Sequence, residues 1–152
     1  MKPFTKILVP IDFLPHSAEA VRRAMDLANP HSAEVVLLHA YEPGEYPATP
    51  GDVVYDDEQL HRLSAQVRAR LDAVRRDADP LGRCISTRVV QGTPLRAIIE
   101  VVTREPFDLI VMGTHGRTGI GRVVLGSIAE RVLRRAPCPV LTIKAPPAAA
   151  AV

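Results

Sequence analysis

Apolar residues follow two rhythms along this chain, and the rhythms alternate. Lys6 to Ile11 (K-I-L-V-P-I) is apolar after its first residue, which predicts a strand covered on both faces. From Pro15-His16-Ser17 the spacing changes to that of a helix. Ala18, Val21, Ala24, Met25 and Ala28 form its stripe, and Asn29-Pro30 stops it. Glu34 to Ala40 is a second buried run. Tyr41 to Asp52, with Pro43, Gly44, Pro47, Pro50 and Gly51, reads as an irregular surface loop. Leu60, Leu63, Val67, Leu71, Val74 and Ala78 then step by three and four, so a long helix is expected from Asp57 until Pro80 and Gly82 close it.

Ile85 to Gln91 alternates Ile85, Thr87 and Val89 against Ser86 and Arg88, the pattern of a more exposed strand at a sheet edge. Thr93-Pro94 reads as an N-cap followed by proline in the first helical position, with Leu95, Ile98, Ile99 and Val102 on the buried face. Phe107 to Met112 is a fourth strand. A last helix has Leu125, Ile128, Ala129, Val132, Leu133 and Ala136 on its apolar side, and Val140 to Lys144 is a fifth strand. Strands alternating with helices over short connections predict an open five-stranded parallel α/β sheet with helices on both faces. The flavodoxin-like or Rossmann-like order 3-2-1-4-5 is the arrangement expected. Residues 1–144 are expected to form a single domain, and the low-complexity 145–152 (A-P-P-A-A-A-A-V) a disordered tail.

Composition narrows the function. A net charge of +2 and 4% aromatic residues with no Trp argue against a nucleic-acid surface. No apolar run approaches the ~18 residues of a membrane span. The opening M-K-P-F-T-K-I-L lacks the long apolar core and cleavage site of a secretory signal. Cys84 and Cys138 are isolated, fitting neither a disulfide framework nor a metal site, so a reducing cytoplasm is the expected setting.

The chemistry concentrates between the fourth strand and the last helix. Gly113, Gly116, Gly119, Gly121 and Gly126 precede Ser127 at the helix start. A glycine-rich loop entering a helix N-terminus suits an anion: free backbone N–H groups face it, the helix dipole favours it, and glycine lets the backbone come close. Ser127-x-x-Glu130 also fits a capping box, and Ser127 is expected both to cap and to donate its hydroxyl. Asp12, His39-Ala40 and Met112-Gly113 fall at strand C-terminal ends and converge on one crevice if strands one and four are neighbours where strand order reverses. Asp12 also suits a turn or a cap of the first helix. His115 has no acid or nucleophile placed to orient it, so no catalytic residue is assigned. No G-K-[ST] occurs, so the loop is not a Walker A loop. Val140 to Lys144 is expected at a sheet edge with nothing structured to cover it, which invites pairing with another chain.

The spacing Gly113-x2-Gly116-x9-Gly126-Ser127 resembles the nucleotide-binding signature of the universal stress protein family, in its ATP-binding branch. K-I-L-V-P-I-D-F, L-L-H-A, Gly92-Thr93-Pro94, D-L-I-V-M-G-T-H-G-R-T-G, L-G-S-I-A-E-R-V-L and C-P-V-L-T-I occur in the order that the resemblance requires and span nearly the whole chain. The resemblance implies an adenine nucleotide site, with Ala40 backbone groups at adenine, Pro10 and Asp12 around adenine and ribose, and Gly113 against the ribose. It places the phosphates at Thr114, His115, Gly116, Arg117, Thr118 and Gly119 and at Gly126, Ser127, Ile128 and Ala129. Magnesium or manganese would ride on the phosphates of ATP, without a dedicated protein cage. The same resemblance implies a cytoplasmic homodimer joined through its final strands, acting as a nucleotide-dependent regulator or sensor in the stress response. Alternatives are a slow ATP hydrolase or phosphotransferase, and a dimeric interaction module binding AMP or a cyclic nucleotide.

Overall fold

The computed structural model describes residues 3–45, 56–114 and 126–144. Nine regular elements alternate: β1 (Lys6–Pro10), α1 (Pro15–Ala28), β2 (Glu34–Tyr41), α2 (Asp57–Ala78), β3 (Ile85–Gln91), α3 (Pro94–Arg104), β4 (Leu109–Gly113), α4 (Ser127–Arg135) and β5 (Val140–Ile143). The strands form one parallel sheet in the order β3-β2-β1-β4-β5, the expected arrangement. In register, Ile7 pairs with Val35 on one side and with Leu109 on the other, while Ile110 pairs with Val140.

The pleat divides each central strand between two cores. Ile7, Val9, Val35, Leu37 and Val111 face α1 and α2, whereas Leu8, Val36, Leu38, Ile110 and Met112 face α3 and α4. Burial on both faces is why β1, β2 and β4 are written as continuous apolar runs. β3 and β5 occupy the two edges.

Two local expectations are corrected, the capping box at Ser127 and the burial of Leu133. Ser127 is already the first helical residue of α4, and Gly126 holds the N-cap position with extended backbone (φ −58°, ψ 147°). The Ser127–Glu130 capping box therefore does not form, and Glu130 pairs with Arg134 at 3.0 Å instead. At α3 the expected start is found, with Thr93 at the N-cap and Pro94 in the first turn, although the Thr93 side chain makes no cap bond. Leu133 is 43% exposed, because the buried side of α4 is narrow and Ala129 and Val132 carry it. Leu125 lies outside the described residues. A capping box does form one helix earlier: Asp56 accepts from Gln59 N–H at 2.7 Å, and Asp56 N–H donates to Gln59 Oε1 at 2.8 Å.

Side-chain carboxylates secure the N-terminal ends of the strands. One oxygen of Asp108 accepts from Thr5 N–H (2.7 Å), Thr5 Oγ1 (2.6 Å) and Lys6 N–H (3.0 Å), fastening the start of β1 to that of β4. Glu105 accepts from Arg88 of β3 and from Lys6 of β1 and so links these two strands across β2. Hydrogen bonds first from Arg88 and then from Lys6 hold the Glu105 carboxyl at about 2. Asp79, just past α2, accepts from Cys84 N–H (2.9 Å) and Ile85 N–H (3.0 Å). Those backbone bonds, with one from Arg83, lower its carboxyl to about 2.

Candidate functional site

β1 lies between β2 and β4, and the chain leaves these strands in opposite directions across the sheet. The split opens a cavity of about 300 Å³ at their C-terminal ends. Pro10, Ile11 and Asp12 enter from β1, Leu38, His39 and Ala40 from β2, and Met112, Gly113 and Thr114 from β4. Gly126, Ser127, Ile128 and Ala129 close the far side. Nine of the residues expected at the site thus meet in one place: Pro10, Asp12, Ala40, Gly113, Thr114, Gly126, Ser127, Ile128 and Ala129. His115, Gly116, Arg117, Thr118 and Gly119 lie outside the described residues. Ser17, Pro94 and Ile98 also line the cavity and were not anticipated. Pro94 and Ile98 are one helical turn apart at the start of α3, so the i, i+4 spacing after Gly92-Thr93 was the available signal.

The α4 wall presents the start of a helix to the cavity. The first intrahelical bond of α4 runs from Glu130 N–H to Gly126 C=O at 2.9 Å. The N–H groups of Ser127, Ile128 and Ala129 therefore have no intrahelical acceptor, and all three residues border the cavity. Gly126 N–H is engaged elsewhere: it donates to Thr114 C=O at 2.6 Å, while Thr114 N–H donates to Ile143 C=O at 2.9 Å. These two bonds fix the α4 amides to the ends of β4 and β5.

Asp12 is the sole carboxylate among the described lining residues, which include no lysine or arginine. Its Oδ1 accepts from Leu14 N–H (2.9 Å) and Ser17 Oγ (2.8 Å), so the turn role is real. Oδ2 has no hydrogen bond among the described residues and remains available to a ligand. His39 is buried, as expected for a strand-end histidine, with Nδ1 2.6 Å from Ile11 O. Gly113 answers a packing demand: a Cβ there would stand 2.8 Å from His16 Cβ of α1. Burial and then the Asp79 charge raise the Cys84 thiol, and burial raises that of Cys138, so neither is tuned as a nucleophile. Among the described residues no group of three or more His, Cys, Asp or Glu side chains could hold a metal, and no helix is long and apolar enough to cross a membrane.

The profile of the Universal stress protein family matches residues 3–144. The chain belongs to that family. A universal stress protein of Methanocaldococcus jannaschii is 35% identical over 144 residues, covering 94% of this chain and 84% of the relative. The structure of a universal stress protein from Lactobacillus plantarum is similar with a TM-score of 0.75 and 28% identity, covering 94% of this chain and 99% of the other. A universal stress protein solved in complex with cAMP is similar with a TM-score of 0.70 and 26% identity over 95% of this chain and 100% of that one.

Proposed function

We propose that this universal stress protein binds an adenine nucleotide, ATP foremost, in the cavity at the ends of β1, β2 and β4, and acts as a nucleotide-dependent regulator in the stress response. The observation that carries the reading is that the three residues whose N–H groups lack an intrahelical acceptor border a cavity also lined by apolar side chains. Leu38, Pro94, Ile98 and Met112 suit the flat face of a base, and Ala40 brings backbone polar groups beside its edge. Asp12 Oδ2 suits a ribose hydroxyl. The amides of Ser127, Ile128 and Ala129 suit a phosphate group. A divalent ion would take most of its ligands from the phosphates and water, with Asp12 the one carboxylate in reach among the described lining residues. Arg117 and Arg122 supply basic charge in the glycine-rich stretch of the sequence.

The relative solved with cAMP favours a second reading, in which the ligand is a monophosphate such as AMP or cAMP. Mass spectrometry of nucleotide released from the purified protein, followed by calorimetry with ATP, AMP and cAMP, separates the two. A folded protein that carries no adenylate and binds none at millimolar concentration overturns both. A slow hydrolase in the same cavity would show single-turnover ATP cleavage that depends on magnesium and disappears in Asp12→Ala.

We also propose a homodimer through Val140–Lys144. β5 is a sheet edge, Leu141 is 38% exposed on it, and Leu133 is 43% exposed on the neighbouring α4. An open apolar edge favours pairing with a second copy. Sedimentation equilibrium should give twice the monomer mass, and Leu141→Lys should give the monomer. A wild-type monomer at micromolar concentration overturns the proposal.

A further inference from the structure

Phe13 has φ of 63°, the left-handed region that a bulky side chain rarely enters. Such a conformation persists where its surroundings hold it, and it clusters at functional sites. Three contacts hold this one. The bond from Leu14 N–H to Asp12 Oδ1 closes a turn around Phe13 at 2.9 Å. The Arg70 guanidinium of α2 lies 4.2 Å from the centroid of the Phe13 ring. The His39 ring of β2 lies 4.4 Å from the same centroid, tilted by 42°, and is itself tied to Ile11 O at 2.6 Å. Arg70, Phe13 and His39 thus join α2, the β1–α1 turn and β2 in one stack.

Asp12 and His39 line the cavity, whereas Phe13 and Arg70 do not. What Phe13 provides to the site is the direction of its neighbour. Were it to relax to a negative φ, the chain would leave β1 along another path and the bond from Leu14 N–H to Asp12 Oδ1 would open. The carboxylate would then keep only the bond from Ser17 Oγ and be less firmly oriented. With the stack in place Oδ1 is engaged by Leu14 and Ser17, and Oδ2 is left in a fixed position.

We infer that Phe13, held by Arg70 and His39, is a positioning residue that fixes Asp12 Oδ2 as the acceptor for a sugar hydroxyl, so that the stack sets the selectivity for ribose. The inference rests on the adenine nucleotide reading and deepens it. A carboxylate oxygen rewards a hydroxyl donor and leaves a deoxy sugar without a partner, so discrimination depends on how tightly that oxygen is held.

The test uses the full chain and calorimetry with ATP and 2′,3′-dideoxyATP on wild type, Asp12→Asn, Phe13→Gly, Arg70→Met and the Asp12→Asn/Phe13→Gly pair. Wild type should prefer ATP by roughly ten- to a hundredfold, the range of a hydrogen bond to a charged acceptor. Asp12→Asn should remove that preference. Phe13→Gly keeps the left-handed backbone accessible without the ring, and Arg70→Met changes an exposed side chain. Both should lower the preference several-fold while dideoxyATP affinity moves less than about twofold. Phe13→Gly should cost nothing more in the Asp12→Asn background, and Phe13→Tyr should behave as wild type. Equal loss of both ligands, or equal loss in both backgrounds, overturns the inference and leaves Phe13 a residue of the fold. Wild-type binding without sugar preference overturns the inference alone, and no binding of either nucleotide overturns the nucleotide reading with it. If Phe13→Gly does not fold, Arg70→Met and Phe13→Tyr decide by the same comparison.

Discussion

Gly113→Ala is the sharpest test of how the crevice is built. Gly113 ends β4, pairs in register with Ile143, and does not have a positive φ, so space is what excludes a side chain. An added Cβ would stand 2.8 Å from His16 Cβ, 3.3 Å from the His16 carbonyl carbon and 3.4 Å from its oxygen. Cβ contacts below 3.0 Å are essentially never seen, so α1 or β4 must shift by several tenths of an ångström. Overpacking of this kind costs about 1–3 kcal/mol. For a domain of this size that corresponds to a loss of roughly 3–10 °C in Tm. Thermal unfolding by circular dichroism and urea titration measure it, and a double-mutant cycle tests the cause. His16→Gly removes the 2.8 Å neighbour but leaves the two backbone contacts, so the pair should show a coupling of about 1 kcal/mol, with only part of the loss recovered. Calorimetry adds a functional readout, because a displaced α1 also moves Asp12 and should weaken nucleotide binding. An unchanged Tm in Gly113→Ala, or additivity of the two substitutions within about 0.5 kcal/mol, refutes the packing account.

Ser127→Ala should cost less than about 0.5 kcal/mol in urea unfolding, because Gly126 holds the N-cap, yet weaken ATP binding several-fold; a loss near 1 kcal/mol with unchanged binding would mean that Ser127 serves as a cap after all. Glu105 and Asp79 titrate at about 2 in the folded chain, below their ordinary 4.5 and 3.8. A depressed carboxylate stabilises the folded state above its ordinary value, and that contribution is lost as pH falls towards 2, so the urea midpoint should drop between about pH 5 and pH 2.5. Glu105→Gln should flatten the drop, and a midpoint that keeps the wild-type slope in that variant contradicts the assignment. At pH 7.5 both thiols should react with a maleimide at least about tenfold more slowly than free cysteine, and Asp79→Asn should speed Cys84 more than Cys138; fast labelling of the folded chain would contradict the raised thiols.

Strand and helix types were legible because the central strands read as apolar runs, β3 as an alternation and each helix as a stripe, distinctions that survive without coordinates. Lys6 to Ile11 and Glu34 to Ala40 could hardly be anything but buried strands, and Ile85 to Gln91 showed its edge position through alternation. Alternation with short right-handed connections permits several orders, and the Rossmann-like order expected from it is the one the sheet takes. Half of the site was legible for a topological reason: residues at strand C-termini meet wherever the order reverses, which placed Asp12, Ala40 and Gly113 together. The apolar wall from Pro94 and Ile98 was not, because a helix stripe looks the same whether it covers a core or a cavity. Ser127 was misread as a cap because S-x-x-E satisfies the motif in either frame, and the extended backbone that decides it belongs to Gly126.

The join between loop and sheet was hidden from the sequence altogether, since it is made by backbone alone. Gly126 N–H to Thr114 C=O and Thr114 N–H to Ile143 C=O form a two-bond ladder that extends the β4–β5 pairing by one residue and then hands it to α4. Its physical effect is to tie the start of α4, with the Ser127, Ile128 and Ala129 amides, to the ends of β4 and β5. An anion bound as proposed would meet donors anchored to the sheet, and preorganised donors lose little on binding. The same ladder ends on Ile143 of the edge strand, so the helix-start amides and the edge proposed for pairing are linked through two residues, Gly126 and Thr114. Removing a side chain cannot cut it. Proline at 114 or 126, which lacks the N–H, or a shift of the β4–β5 register would cut it, so Thr114, buried at the head of the glycine-rich stretch, joins the proposed nucleotide site to the sheet edge.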